Sequence, residues 1–208
     1  LERSLQIEPL RKDSVALRAS IAFEAGQYSF AASQFSILHQ SFRDDDEILS
    51  NLGGALSVLK DPVVAQNCFD KAISLRPESI LANLNSGTHA LWYGKATDAF
   101  RDLYRTLILD QNHAKAKWNL SLVHLSLGHF DLAWPLHEAR FTAKKVDIEV
   151  VGHRWTSDAQ RARCLVWAEQ GVGDEVMFGS MLGDFRGCVG KLLVQLDRRL
   201  IPLFKRSL

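Results

Sequence analysis

Three asparagines, Asn51, Asn85 and Asn119, stand 34 residues apart. A primary amide both donates and accepts, so amides repeated on one face could grip an extended polypeptide backbone without reading its side chains. Trp92 and Trp118 stand seven residues after Asn85 and one before Asn119, where each either offers aromatic surface to a ligand or joins the core. Further on, GVGDEVMFGSML places Asp174 just behind Gly171 and Gly173 at the mouth of an amphipathic stretch. A carboxylate there either takes a proton from an attacking hydroxyl or simply caps the helix and suits its dipole. The two glycines would let a substrate approach the backbone, and a helix N-terminus favours negative charge. Glu47 and Lys115 read as solvated charges. No HExxH pair occurs among the seven histidines, so no metal site is assigned.

These residues sit in a chain of 208 with an ordinary globular balance, 47% hydrophobic and 24% charged. A formal net charge of +1 gives no argument for nucleic acid. No apolar run approaches the roughly 20 residues of a membrane span, and the N-terminus is not signal-like, so the reading is cytoplasmic with no membrane partner. Cys68, Cys164 and Cys188 are odd in number and far apart, which favours buried free thiols over a disulfide framework.

The elements that must position the amides follow from self-similarity. Ala31, Ala65, Ala99 and Ala133 recur every 34 residues; Gly26, Gly94 and Gly128 stand five residues before three of them, with Lys60 as the exception. Phe35, Phe69 and Leu103 stand four after, and His137 breaks that series. Arg43, Pro77 and Gln111 follow eight residues later. A small residue lets a second helix approach the first, an apolar one a turn on fills the gap to the next unit, and glycine and proline serve the turns. This spacing resembles the tetratricopeptide repeat. The expected fold is mainly α, a solenoid of helix-turn-helix units in a right-handed superhelix, followed by a short α/β Rossmann-like segment.

The phase places full units at 12–45, 46–79, 80–113 and 114–147, with 1–11 as the end of a truncated unit, 148–163 as a linker and 164–208 as the α/β segment. The acidic run at 44–47 falls at a unit junction, where it caps the next helix. One unit cannot bury its apolar face alone, so stability comes from stacking, and an uncapped end would allow self-association.

Each of the three asparagines is the sixth residue of its unit, with Leu17 in the first. The row resembles the asparagine ladder of protein O-linked N-acetylglucosamine transferases, and the resemblance implies a polypeptide in a concave groove. The alternative is an amide that bonds the adjacent turn. After the fourth unit, GHFDLAWPLHEARF and GHRW, through Trp134, Arg140, Arg154 and Trp155, resemble the segment that closes the array in bacterial proteins carrying a heptosyltransferase-like glycosyltransferase domain of two Rossmann halves. CLVWAEQ and LLVQLD read as parallel strands around a helix, one right-handed crossover. That resemblance implies Asp174 as general base toward a nucleotide-sugar donor bound by a larger protein; this chain alone is expected to bind no cofactor and to be inactive. A purely structural role in oligomerisation or assembly is the competing reading.

Overall fold

The computed structural model describes residues 12–143, 153–156, 158, 161–169 and 171–207. The expected truncated unit at 1–11, the last residues of the fourth unit and half of the linker lie outside the described residues. Contacts divide the chain into two units, Leu1–Asp147 and Ile148–Leu208.

The first unit is a run of antiparallel helix pairs: α1 (Lys12–Glu24) with α2 (Tyr28–Ser41), α3 (Asp46–Val58) with α4 (Pro62–Leu75), α5 (Ile80–Trp92) with α6 (Ala96–Leu109), and α7 (Ala114–Ser126) with α8 (Phe130–His137), then a short α9 (Ala139–Ala143). Helix starts are written locally. Asp45 accepts the Ile48 N–H at 3.0 Å, Pro62 opens α4 behind the Asp61 cap, and Ser79 caps α5. Each first helix is followed by a residue in the left-handed region: Gly26 at φ 78°, Lys60 at 62°, Gly94 at 71° and Gly128 at 74°. The residue after it then closes the turn, as Lys95 N–H to the Ala90 carbonyl does at 2.9 Å.

Packing follows the 34-residue phase. Ala31, Ala65, Ala99 and Ala133 are each fully buried, and each sits near the start of a second helix. Phe35, Phe69 and Leu103 one turn on are buried to the same degree. Phe69 and Leu103 fit because the facing residue of the first helix is glycine. A Cβ on Gly53 would lie 2.7 Å from the Phe69 ring, and one on Gly87 would lie 2.7 Å from Leu103 Cγ and 3.0 Å from its backbone nitrogen. In the fourth pair the glycine is replaced by Ser121, whose Oγ lies 3.0 Å from His137 Nδ1, so a polar pair stands where the others are apolar.

The second unit contains β1 (Arg163–Trp167), α10 (Val172–Gly179), α11 (Leu182–Cys188), β2 (Lys191–Gln195), a 3-10 turn at Arg198–Leu200 and α12 (Ile201–Ser207). The strands pair in parallel, Arg163 opposite Lys191 and Trp167 opposite Gln195. The helix expected to open in GVGDEVMFGSML is α10, and it stops at Gly179: the Met181 N–H bonds the Phe178 carbonyl rather than continuing the helical ladder, and α11 begins at Leu182. Among the described residues the sheet has two strands only, and one face of it is open: the cross-strand partners Leu165 and Leu193 are 50% and 41% exposed. Strand–helix–strand is what the segment shows; a full Rossmann sheet is not.

Cys68 and Cys164 are buried free thiols, and burial pushes the Cys68 thiol up. Cys188 departs from expectation. It is exposed, at the last turn of α11, with Sγ 3.6 Å from the Asp184 carbonyl oxygen.

Candidate functional site: an amide row on the first helices

Residues four, seven and eleven apart share one helix face. On α1, α3, α5 and α7 the face built on the asparagine phase is a grid: Asp13, Leu17, Ser20 and Glu24; Glu47, Asn51, Gly54 and Val58; Leu81, Asn85, Thr88 and Trp92; Lys115, Asn119, Leu122 and Ser126. The neighbouring first helices are tied across this grid by the amides themselves. Asn85 Nδ2 donates to Ser50 Oγ at 3.1 Å, and Asn119 Nδ2 donates to Thr88 Oγ1 at 2.8 Å. In each case the acceptor belongs to the preceding helix pair. One N–H of each amide is thereby used inside the protein, and at partly exposed Asn85 the carbonyl oxygen and second N–H are the groups left for other partners. Asn119 is buried, while Asn51 and Asn85 are partly exposed.

Trp92, at the end of α5, is 62% exposed. Trp118 is partly buried on α7, closer to a packing role. The two tryptophans therefore differ in what they offer. Leu17 and Ile21 on α1 are also about half exposed, at 52% and 53%.

Beneath the grid lies a polar seam that the repeat pattern does not announce. His89, one turn after Asn85, is buried with Nδ1 2.7 Å from Ser57 Oγ, and its ring lies 5.5 Å from Phe69 and 4.7 Å from Tyr93. Tyr93 donates its hydroxyl to the Ser57 carbonyl at 3.2 Å. Burial, with Lys95 adding to it, holds the His89 pKa below the ordinary 6.5. His124, against Phe100 at 5.8 Å, is lowered likewise by burial and by His129. A second buried polar group is Asp102, which accepts from Ser86 Oγ at 2.6 Å and from Arg101 Nε at 2.7 Å. These residues occupy single units and break no period, so self-similarity passes over them; only their polarity inside an apolar phase marks them.

In the second unit, Asp174 is in the first turn of α10 and its Oδ2 accepts the Gly171 N–H at 3.3 Å, the geometry of a helix cap. Gly173 lies in the same turn with open space where a Cβ would stand. Glu175 Oε2 accepts the Asp197 N–H at 2.7 Å, tying α10 to the segment after β2. Asp197 is held at about 2 by Arg199, which binds it through both guanidinium and backbone N–H. Trp155 packs edge-on against Phe185 at 4.9 Å. Among the described residues no group of three or more His, Cys, Asp or Glu is placed to hold a metal ion, and no helix is long and apolar enough to cross a membrane.

The run of paired helices in the first unit is similar to solved structures. TTC0263, a thermophilic TPR protein of Thermus thermophilus, superposes with a TM-score of 0.62 at 18% identity, over 70% of this chain and 80% of that one. The fold is that of tetratricopeptide-repeat proteins. The first TPR of Spaghetti (RPAP3), solved bound to an HSP90 peptide, superposes with a TM-score of 0.52 at 20% identity, over 56% of this chain and 93% of that one. In sequence, Protein FlbA of Caulobacter vibrioides is 30% identical over 168 residues, which is 76% of this chain. The match spans only 28% of FlbA's length. No family model matches the chain.

Proposed function

We propose that this chain is a protein-interaction scaffold whose tetratricopeptide unit holds an extended polypeptide segment across its first helices. The observation that carries the reading is the amide row. Asn51, Asn85 and Asn119 recur on one face, and the two later amides are already oriented by hydroxyls of the preceding pair, so they are fixed in place before any ligand arrives. Fixed amides suit main-chain recognition, since every residue of a ligand offers the same N–H and C=O. Trp92 adds an exposed aromatic surface to the same face. A peptide on the RPAP3 repeat of the same fold is consistent with the proposal.

The test is calorimetry with candidate peptides, comparing wild type with Asn51→Ala and with Asn51, Asn85 and Asn119 all changed to Ala. Asn51→Ala is the cleaner arm, because Asn85 and Asn119 also join neighbouring units. Weakened binding with unchanged helicity supports the groove; unchanged binding by the triple variant removes the amides from any role.

A finer reading makes the scaffold the acceptor-recognition part of a larger glycosyltransferase-like protein. The parallel strand–helix–strand and the placement of Asp174, Gly171 and Gly173 directly after β1 favour it, since ligands of such sheets gather at the carboxyl ends of the strands. On that reading Asp174 serves a full-length enzyme as general base and the donor is a nucleotide sugar. Sugar transfer by a protein containing this segment, lost on Asp174→Asn with the fold retained, would support it; transfer that survives the substitution would rule Asp174 out. A structural role in oligomerisation is the other possible use of the repeats, and concentration-dependent size in sedimentation would reveal it.

A further inference from the structure

The grid on the first helices is neutral in its amide row and charged at its two ends with opposite sign. The row one turn before the amides reads Asp13, Glu47, Leu81 and Lys115 along successive pairs, all but Leu81 exposed. Exposed Glu24 closes the same face of α1. Carboxylates thus occupy the first two pairs, an apolar side chain and Trp92 the third, and an ammonium the fourth. Lys12 lies beside the acidic end but does not neutralise it. Its ammonium is already bonded to Asp45, and Asp45, Glu47 and Asp13 together raise its pKa. Asp45 in turn is pulled up by burial yet held below the usual carboxylate range by Lys12 and by the Ile48 N–H. One cation therefore serves three carboxylates, and Glu24 stands beyond them.

Resting on the peptide-groove reading, we infer that the occupant is an extended segment of two signs: basic residues over Asp13, Glu24 and Glu47, apolar residues against Leu81 and Trp92, and acidic residues at Lys115. Packed helices lie about 8–10 Å apart and an extended chain advances about 3.3–3.6 Å per residue, so each pair spans about three residues. The basic and acidic groups of the ligand are then separated by about six to nine residues. Charge complementarity on an exposed face sets register and orientation where the amides, which read any backbone, cannot. A segment with lysines at both ends meets Lys115 with like charge, and one with glutamates at both ends meets the acidic pairs with like charge.

The experiment uses fluorescein-labelled peptides of about twelve residues, made of glycine, serine and a central leucine. One set carries lysines at one end and glutamates at the other, in both orders; two more carry lysine at both ends or glutamate at both ends. Anisotropy is read at low and at high salt, with wild type and with the Glu47→Gln, Lys115→Gln double variant. The expected result is that one order of the two-signed peptide binds about fivefold more tightly than either one-signed peptide, and that the advantage shrinks in the double variant and at high salt. Affinities equal within twofold, or an advantage indifferent to the double variant, would overturn the inference. Binding that is indifferent to charge but lost with the three asparagines overturns this inference alone, whereas no binding by any of the peptides overturns it together with the groove reading.

Discussion

Ser121 Oγ and His137 Nδ1 lie 3.0 Å apart at the spot where Gly53 faces Phe69 and Gly87 faces Leu103 in the preceding pairs. The two departures from the repeat in the fourth pair are therefore one: when the large apolar residue of the second helix becomes histidine, its facing residue becomes a hydroxyl that can bond it. Ala19 takes this place in the first pair, and in the second and third pairs the large apolar residue closes directly on glycine. Gly87→Ala is expected to destabilise the repeat array by about 1–3 kcal/mol in urea unfolding, because the new methyl meets both the Leu103 side chain and its backbone nitrogen. Gly53→Ala should cost less, since only the Phe69 ring must move.

Lys60 occupies the left-handed turn position that glycine fills in the other three pairs. A side chain there costs about 1 kcal/mol or more relative to glycine. Lys60→Gly is accordingly expected to raise stability by about 1 kcal/mol, and chemical denaturation of the two proteins side by side checks it. A loss of stability would mean that the lysine is worth more than its backbone costs.

His89 is buried and its pKa is lowered, first by burial and then by Lys95, as is that of His124 by burial and His129. The unfolded chain then binds more protons than the folded one in the window below the ordinary value of 6.5. Stability is full above that window and falls as pH drops through it. A thermal midpoint recorded from about pH 8 to about pH 5 should decline, and the decline should be shallower in His89→Gln, which does not ionise. An equal slope in the variant would place the proton uptake elsewhere.

The carboxylate of Asp102 is 4% exposed and relies on Ser86 and Arg101. Ser86→Ala removes the shorter of these bonds from a buried charge and is expected to cost about 1.5–3 kcal/mol, measurable by urea unfolding. Replacing Asp102 and Ser86 together by apolar residues of similar size should recover much of that loss.

Much of this architecture is readable from residue types alone. Ala31, Ala65, Ala99 and Ala133 announce the helix pairs because close helix packing admits nothing larger, and the left-handed turn ends announce themselves through Gly26, Gly94 and Gly128. Lys60 shows that geometry persists where the residue signal fails, for its backbone is held by the same turn bonds as the glycines'. The amide row is visible as a period, but the hydroxyls that orient it, Ser50 and Thr88, are not, since they stand at different phases of their units. The second unit is legible as strand–helix–strand because two short β-branched and leucine-rich runs flank a glycine turn. Its break after Gly179 carries a weak signal, since glycine followed by serine is turn-prone, but the apolar run on both sides masks it. The exposure of Cys188 is hidden for a related reason: burial of a thiol depends on what covers α11, which a local pattern does not contain.

The seams between neighbouring pairs are not stitched equally. Between the second and third pairs run Asn85 to Ser50, His89 to Ser57 and the Tyr93 hydroxyl to the Ser57 carbonyl; between the third and fourth, Asn119 bonds Thr88, the Phe100 and His124 rings meet edge-on, and one apolar cluster runs through both pairs. Pulled end to end, such an array does not stretch like a uniform spring. Single-molecule extension is expected to part a polar-stitched seam and an apolar one at different forces, so the array has a built-in order of mechanical yielding.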